Sequence, residues 1–406
     1  MPSSTRLSKA RHKFKALNNT KNGEELADVI KLDSLYTERV LSSVLKEDGC
    51  WDAVNEQEGR GVWDEVAIAH FQAAAAYQQR NFTEAYKYQL ASYNAFLRLF
   101  RNMSRWGIQT LFSLCKDLCD VAKRADKQQP TNGGVQSSKV EEATRAINQG
   151  FSLCMTDREP QSDQSRKWGT YHMANILFAL YQQLGAQNLC SSMISAIKAS
   201  ELPGLSSFPM SDQVTFRYYR GVLAFRKENY KSAKEDLMFA LEHCHRDSYN
   251  NKTRILIYLT PVLLAEGKIP ASRLMRRYPT IKAVYGEIAK AAKIGNVRKF
   301  DDLLKDREQQ YVVMGTFLAL ERSRRVALRQ LLRKIYLIDG SNSRIHFQRL
   351  CDGFVAAGLE RLEVAEMEAI LADMIFNGYI KGYLAHDHGI AVLSKQQPFP
   401  PLGTLT

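Results

Sequence analysis

Two histidine clusters are the first residues whose types invite chemistry. His386-Asp-His388 lies among glycines near the end of the chain, and His243-Cys-His245 closes a helical stretch. On an extended strand His386 and His388 project from the same side and offer two imidazoles to one ion. Two ligands make a weak site, and Asp387 ahead of Gly389 is ordinary turn composition. At His243-Cys244-His245, neighbouring residues on a helix point in different directions, so at most two reach one ion. Imidazoles there suit a helix C-terminus, beside orphan carbonyls and the negative end of the dipole. No metal or cofactor is expected.

Nor does an enzyme emerge from the other reactive residue types. There is no nucleophile elbow, no phosphate-cradling glycine loop and no HExxH helix. Glu24-Glu25 and Asp301-Asp302 are neighbours in sequence, which is not a catalytic geometry. The seven cysteines are scattered, odd in number and form no CxxC pair, which predicts reduced thiols in a cytosolic or nuclear protein.

The arginines carry more. Arg322, Arg325, Arg329 and Arg333 are spaced three, four and four apart, so a helix sets them along one face. Leu328, Leu331, Leu332 and Ile335 form the opposing apolar surface. Four guanidinium groups in a row suit phosphates, whose charge supplies most sequence-independent affinity for nucleic acid. Arg273, Arg276, Arg277, Lys290, Lys293, Arg298 and Lys299 extend the basic excess, in a stretch whose only acids are Glu266 and Glu287. The overall formal charge of +13 is thus concentrated, as for a polyanion partner. A solvated face, or an arginine ladder turned to an acidic protein, has the same composition.

These residues need elements to position them. A chain of 406 residues is long enough for two or three domains. Apolar residues recur at helical spacing nearly throughout, with no run of about eighteen that would span a membrane. Residues 64–79 and 82–100 read as an antiparallel pair around an Arg-Asn turn. Within residues 216–241, Gly221, Tyr230, Ala233, Leu237 and Ala240 fall where a tetratricopeptide-like pair alternates small and large residues. Past Tyr311 come a basic amphipathic helix (311–337), helices at 343–357 and 362–377, and strands at 379–385 and 390–394. That order, three helices and a two-stranded wing, is a winged helix. Its third helix turns Glu363, Glu366 and Asp373 outward, so it would be repelled by a phosphate-flanked groove. Nucleic-acid contact is therefore expected from the first helix, assisted by Lys381 and Lys395 on the wing. The third helix is expected to pack or meet a partner through Met367, Ile370, Leu371 and Met374. The basic, serine-rich start fits a presequence, a polyanion-binding arm or a solvated tail.

Helical repeats running into a C-terminal winged helix resemble PCI domains. Four stretches resemble, more narrowly, the PCI domain-containing protein two, or CSN-twelve-like, family. They are Ala240-Leu-Glu-His-Cys-His-Arg-Asp-Ser-Tyr-Asn-Asn-Lys-Thr-Arg-Ile-Leu-Ile-Tyr-Leu-Thr-Pro-Val262, Ser165-Arg-Lys-Trp168, Tyr379-Ile-Lys-Gly-Tyr383 and Ser394-Lys-Gln-Gln-Pro-Phe-Pro-Pro401. The resemblance covers the chain from Asp64 onward. It implies a mainly α protein, a solenoid followed by a winged helix. The divisions are a basic disordered tail (1–23), N-terminal repeats (24–209), the repeat part of the PCI domain (210–310), its winged helix (311–396) and a C-terminal tail (397–406). It further implies a non-enzymatic nuclear subunit of the transcription-and-export complex TREX-two. Such a subunit pairs with a larger PCI scaffold and a small acidic peptide shared with the proteasome lid, and it binds RNA or DNA. A paralogue in the same family joins a different PCI partner and is linked to splicing and to the signalosome.

Overall fold

The computed structural model describes residues 2–44, 61–128 and 138–402. Part of the polar loop expected at 127–138 lies outside them. The chain divides into two compact units, residues 1–216 and 217–406. The division falls inside one helix, seven residues past the boundary expected at 209.

The first unit is wholly helical among its described residues: α1 (Pro2–Asn19), α2 (Gly23–Val29), α3 (Leu35–Val44), α4 (Val62–Gln78), α5 (Phe82–Phe100), α6 (Ile108–Gln128), α7 (Lys139–Met155), α8 (Thr170–Gln183), α9 (Gln187–Ala199) and the start of α10 (Met210–Arg226). The expected disordered tail is instead α1. Ala10, Phe14 and Leu17, spaced four and three apart, are buried, and Phe14 stacks on Phe71 of α4. Two of its basic residues turn inward as well. Arg11 Nε and Lys15 Nζ reach the two oxygens of buried Asp64 at 2.8 and 2.9 Å. Burial raises the Asp64 pKa, but the two cations outweigh it and hold the carboxyl below its ordinary value.

The second unit contains the rest of α10, then α11 (Tyr230–His243), α12 (Tyr249–Ala265), α13 (Ser272–Arg277), α14 (Pro279–Ile294), α15 (Val297–Asp306), α16 (Glu308–Met314), α17 (Phe317–Ile338), β1 (Arg344–His346), α18 (Phe347–Ala356), α19 (Val364–Phe376), β2 (Gly382–Ala385) and β3 (Ile390–Leu393). The single basic helix expected at 311–337 is two, because Gly315 adopts φ +69° and ends α16. The sheet has three strands, not two, in the order β1-β3-β2, all antiparallel. The extra strand is Arg344–His346, taken from the start of what reads as a helix. One hydrophobic core runs from Leu256 of α12 through Tyr285, Tyr311 and Leu331 to Leu393 of β3. The repeats and the winged helix of this unit therefore share a core.

One turn recurs at four helix junctions and explains how the pairs form. Lys21, Arg80, Glu228 and Gly295 take positive φ, and each precedes an asparagine. The amides of Asn22, Asn81, Asn229 and Asn296 reach back to Leu17, Ala76, Ala224 and Ala291, closing the preceding helix. Each asparagine side chain accepts the amide three residues ahead, opening the next helix. One residue thus satisfies orphan groups of two helices. Pairing α10 with α11 also needs Gly221, where a Cβ would meet Leu237 Cγ at 2.9 Å.

Candidate nucleic-acid interface

The arginine row lies on α17, the first helix of the winged helix. Leu328, Leu331, Leu332 and Ile335 are buried, as their spacing predicts. The arginines do not form one open face. Arg322 is exposed, its guanidinium 5.4 Å from the Tyr230 ring. Arg325 is half-buried and bonded to Asp373 of α19, with Nη2 to Oδ1 and Nε to Oδ2 both at 3.2 Å. Arg329 is only 5% exposed, and its Nη2 donates to Pro400 O at 2.7 Å. Arg333 is exposed again. The face is interrupted in the middle because α19 supplies a carboxylate and the C-terminal segment supplies a cover. Arg324, outside the row, grips Asp301 of α15 through two 2.7 Å bonds, which hold its pKa up.

The remaining basic candidates are more open. Arg273, Arg276 and Arg277 on α13 are exposed, as are Lys290, Lys293 and Arg298. Lys299 is also exposed but paired with Glu287 at 2.9 Å. Helix α13 packs on α14, and α14 packs on α17. Lys381, just before β2, and Lys395, just after β3, both have exposed side chains. The Lys381 backbone is tied down, its amide to Pro398 O and its carbonyl to the Ser394 amide, each at 2.8 Å.

The third helix keeps its acids for internal work. Glu363 and Glu366 form a capping box at the start of α19. Asp373 meets Arg325, and Glu368 meets His386 at 2.8 Å. Met367, Leu371 and Met374 are in the core and Ile370 is half-buried, so that face packs. The strand alternation expected at His386 and His388 is absent. Residues His386–His388 form a single 3-10 turn closed by Gly389 at φ +64°. The hydrogen bond to Glu368, and then its charge, raise the pKa of exposed His386. His243 stacks on Phe239, with Nδ1 3.0 Å from the Phe239 carbonyl oxygen, at the end of α11. Among the described residues no three His, Cys, Asp or Glu side chains converge in a way that could hold a metal, and no helix is long and apolar enough to cross a membrane.

Two exposed aromatics are not among the site residues expected from the sequence, although Tyr383 closes one of the family stretches. Phe376, at the end of α19, is 91% exposed, and Tyr383 on β2 is 62% exposed. The signal was available: Met367, Leu371 and Met374 define the buried face, and Phe376 falls off it. Helix α19 packs on β2, so both aromatics belong to the wing side of the module.

Helical repeats that share a core with a terminal winged helix define the PCI class, and the PCI domain profile matches residues 298–395. PCI domain-containing protein 2 of Xenopus laevis is 33% identical over 95% of this chain and 96% of its own length. The CSN12 homologue of Mycosarcoma maydis is 38% identical over 77% of this chain and 74% of its own. PCI domain-containing protein 2 of Danio rerio is 32% identical over 85% and 86%. The chain belongs to this family of PCI domain-containing protein 2 and CSN12 homologues, a family of scaffold subunits.

Proposed function

We propose that this protein is a non-catalytic subunit of a TREX-two-like nuclear complex that couples transcription to mRNA export. In this reading the winged helix pairs with a larger PCI-containing chain, a small acidic peptide joins the assembly, and exposed basic residues hold RNA or DNA without sequence preference. The observation that carries the pairing is the exposure of two large aromatics on packed elements, Phe376 of α19 at 91% and Tyr383 of β2 at 62%, with exposed Lys381 two residues before Tyr383. Large aromatics exposed beside a cation are the usual anchors of a protein interface. The test is affinity purification of the full chain from nuclear extract, with and without Phe376→Asp and Tyr383→Asp together. The expected result is loss of a second PCI-containing chain at an unchanged melting temperature. An unchanged partner set would sink the pairing.

A second reading is a paralogous subunit of a splicing-linked or signalosome-type complex that acts by protein contacts alone. The internal bonding of Arg324, Arg325 and Arg329 favours it, since these arginines already have protein partners. Splicing or signalosome subunits in the same purification, with no RNA retained, would select it.

A further inference from the structure

Arg329 is buried, yet its charge is incompletely met. Nη2 donates to Pro400 O at 2.7 Å and Nη1 to Gln330 Oε1 at 3.0 Å, while the Phe399 ring lies 5.5 Å from the guanidinium carbon. Nε is buried with no hydrogen-bond partner. Among the described residues no carboxylate forms an ion pair with Arg329. Burial and the like charge of Arg333 both pull its pKa down. An apolar side chain would fill this space without that desolvation cost, so packing alone does not account for an arginine here.

What covers Arg329 is the segment that contains Pro400 and Pro401. Pro398 O accepts the Lys381 amide, Phe399 lies against Tyr336 at 5.5 Å, and Leu402 sits over Gly267. Pro398, Pro400 and Pro401 donate no backbone hydrogen bond, so the segment can leave without breaking a ladder of its own donors. The Pro400 carbonyl oxygen holds the position, against Nη2, that a phosphate oxygen would take.

We propose that residues 397–402 are an internal stand-in for phosphate that masks Arg329, and that a nucleic-acid backbone displaces them. Displacement adds Arg329 to exposed Arg322 and Arg333, with Arg325 left on Asp373, and opens Nε and Nη2, the edge of a guanidinium that binds phosphate through two bonds. This inference rests on the nucleic-acid reading above. It adds that the site is closed by the protein's own C-terminal segment.

The experiment compares the full chain with Phe399→Ser and with Phe399→Ser/Arg329→Gln, measuring affinity for a mixed-sequence single-stranded RNA across a salt series. Phe399→Ser should bind more tightly, and its log-affinity against log-salt slope should steepen by about 0.7, one phosphate contact on a single strand. The double variant should lose that gain. If Phe399→Ser binds with the parent's affinity and slope, the masking is wrong and the nucleic-acid reading stands. If none of the three binds RNA, both fail. Hydrogen exchange at the Lys381 amide of the unaltered protein gives a second readout that needs no variant. Faster exchange when RNA is added supports displacement. An unchanged rate, or release by an acidic peptide and not by RNA, overturns it.

Discussion

Asp117 shows at one residue how burial sets a measurable property. Its Oδ2 accepts the Leu32 amide at 2.9 Å, but burial dominates and raises its pKa to about 7. Between about pH 4, where the unfolded carboxyl titrates, and about pH 7, the folded state binds a proton that the unfolded state does not. Stability therefore falls as pH rises through that window and levels off above it. Asp117→Asn keeps an acceptor for Leu32 and removes the charge. The variant should unfold at a higher temperature than the parent above about pH 7, with a stability gain on the order of 4 kcal/mol. The advantage should shrink towards zero near pH 4, and thermal melts at both ends of the window check it. An advantage independent of pH would show that the charge is not the cause.

At the scale of elements, the four Asn junctions make a sharper prediction than any single helix. Asn229→Ala removes the acceptor for the Ser232 amide and should cost about 1 kcal/mol by denaturant unfolding. Gly221→Ala should cost roughly 1–3 kcal/mol, because Leu237 and Asp236 at 2.9 and 3.1 Å leave a methyl no room between α10 and α11. These junctions also show what the sequence disclosed. Helical periodicity located the long elements, and small residues located the α10–α11 contact, because both signals are local. The Asn turn was equally local, yet only the Arg80-Asn81 instance was recognised. Strand β1 was hidden because three residues beside a helix carry no period of their own; Arg344–His346 is a strand only because β3 lies alongside. Helix α1 was misread through its charge. Ala10, Phe14 and Leu17 carried the helical signal, but nothing local revealed that Asp64 waits for Arg11 and Lys15. Arg329 failed in the same way: spacing placed it on a face, while its cover arrives from Pro400.

For the whole molecule, the excess positive charge matters less than where it remains available. A net charge of +13 would suggest that any basic cluster serves equally for a polyanion. The ion pairs argue otherwise. Arg324 and Arg325 spend their charge on Asp301 and Asp373, so reversing them should disturb packing before it alters binding. Arg273, Arg276 and Arg277 stand exposed on one short helix. If α13 lies along the path of a bound strand, reversing all three to Glu should weaken mixed-sequence RNA binding uniformly across sequences. Each lost phosphate contact should flatten the salt slope by about 0.7, so the triple variant should lose up to about 2. Its melting temperature should stay with the parent's, because exposed charges contribute little to stability. Arg325→Glu sets the contrast, placing like charge against Asp373 and lowering the melting temperature. An α13 variant that keeps the parent's slope would remove that helix from the interface and leave α17 and the wing as the surface for the polyanion.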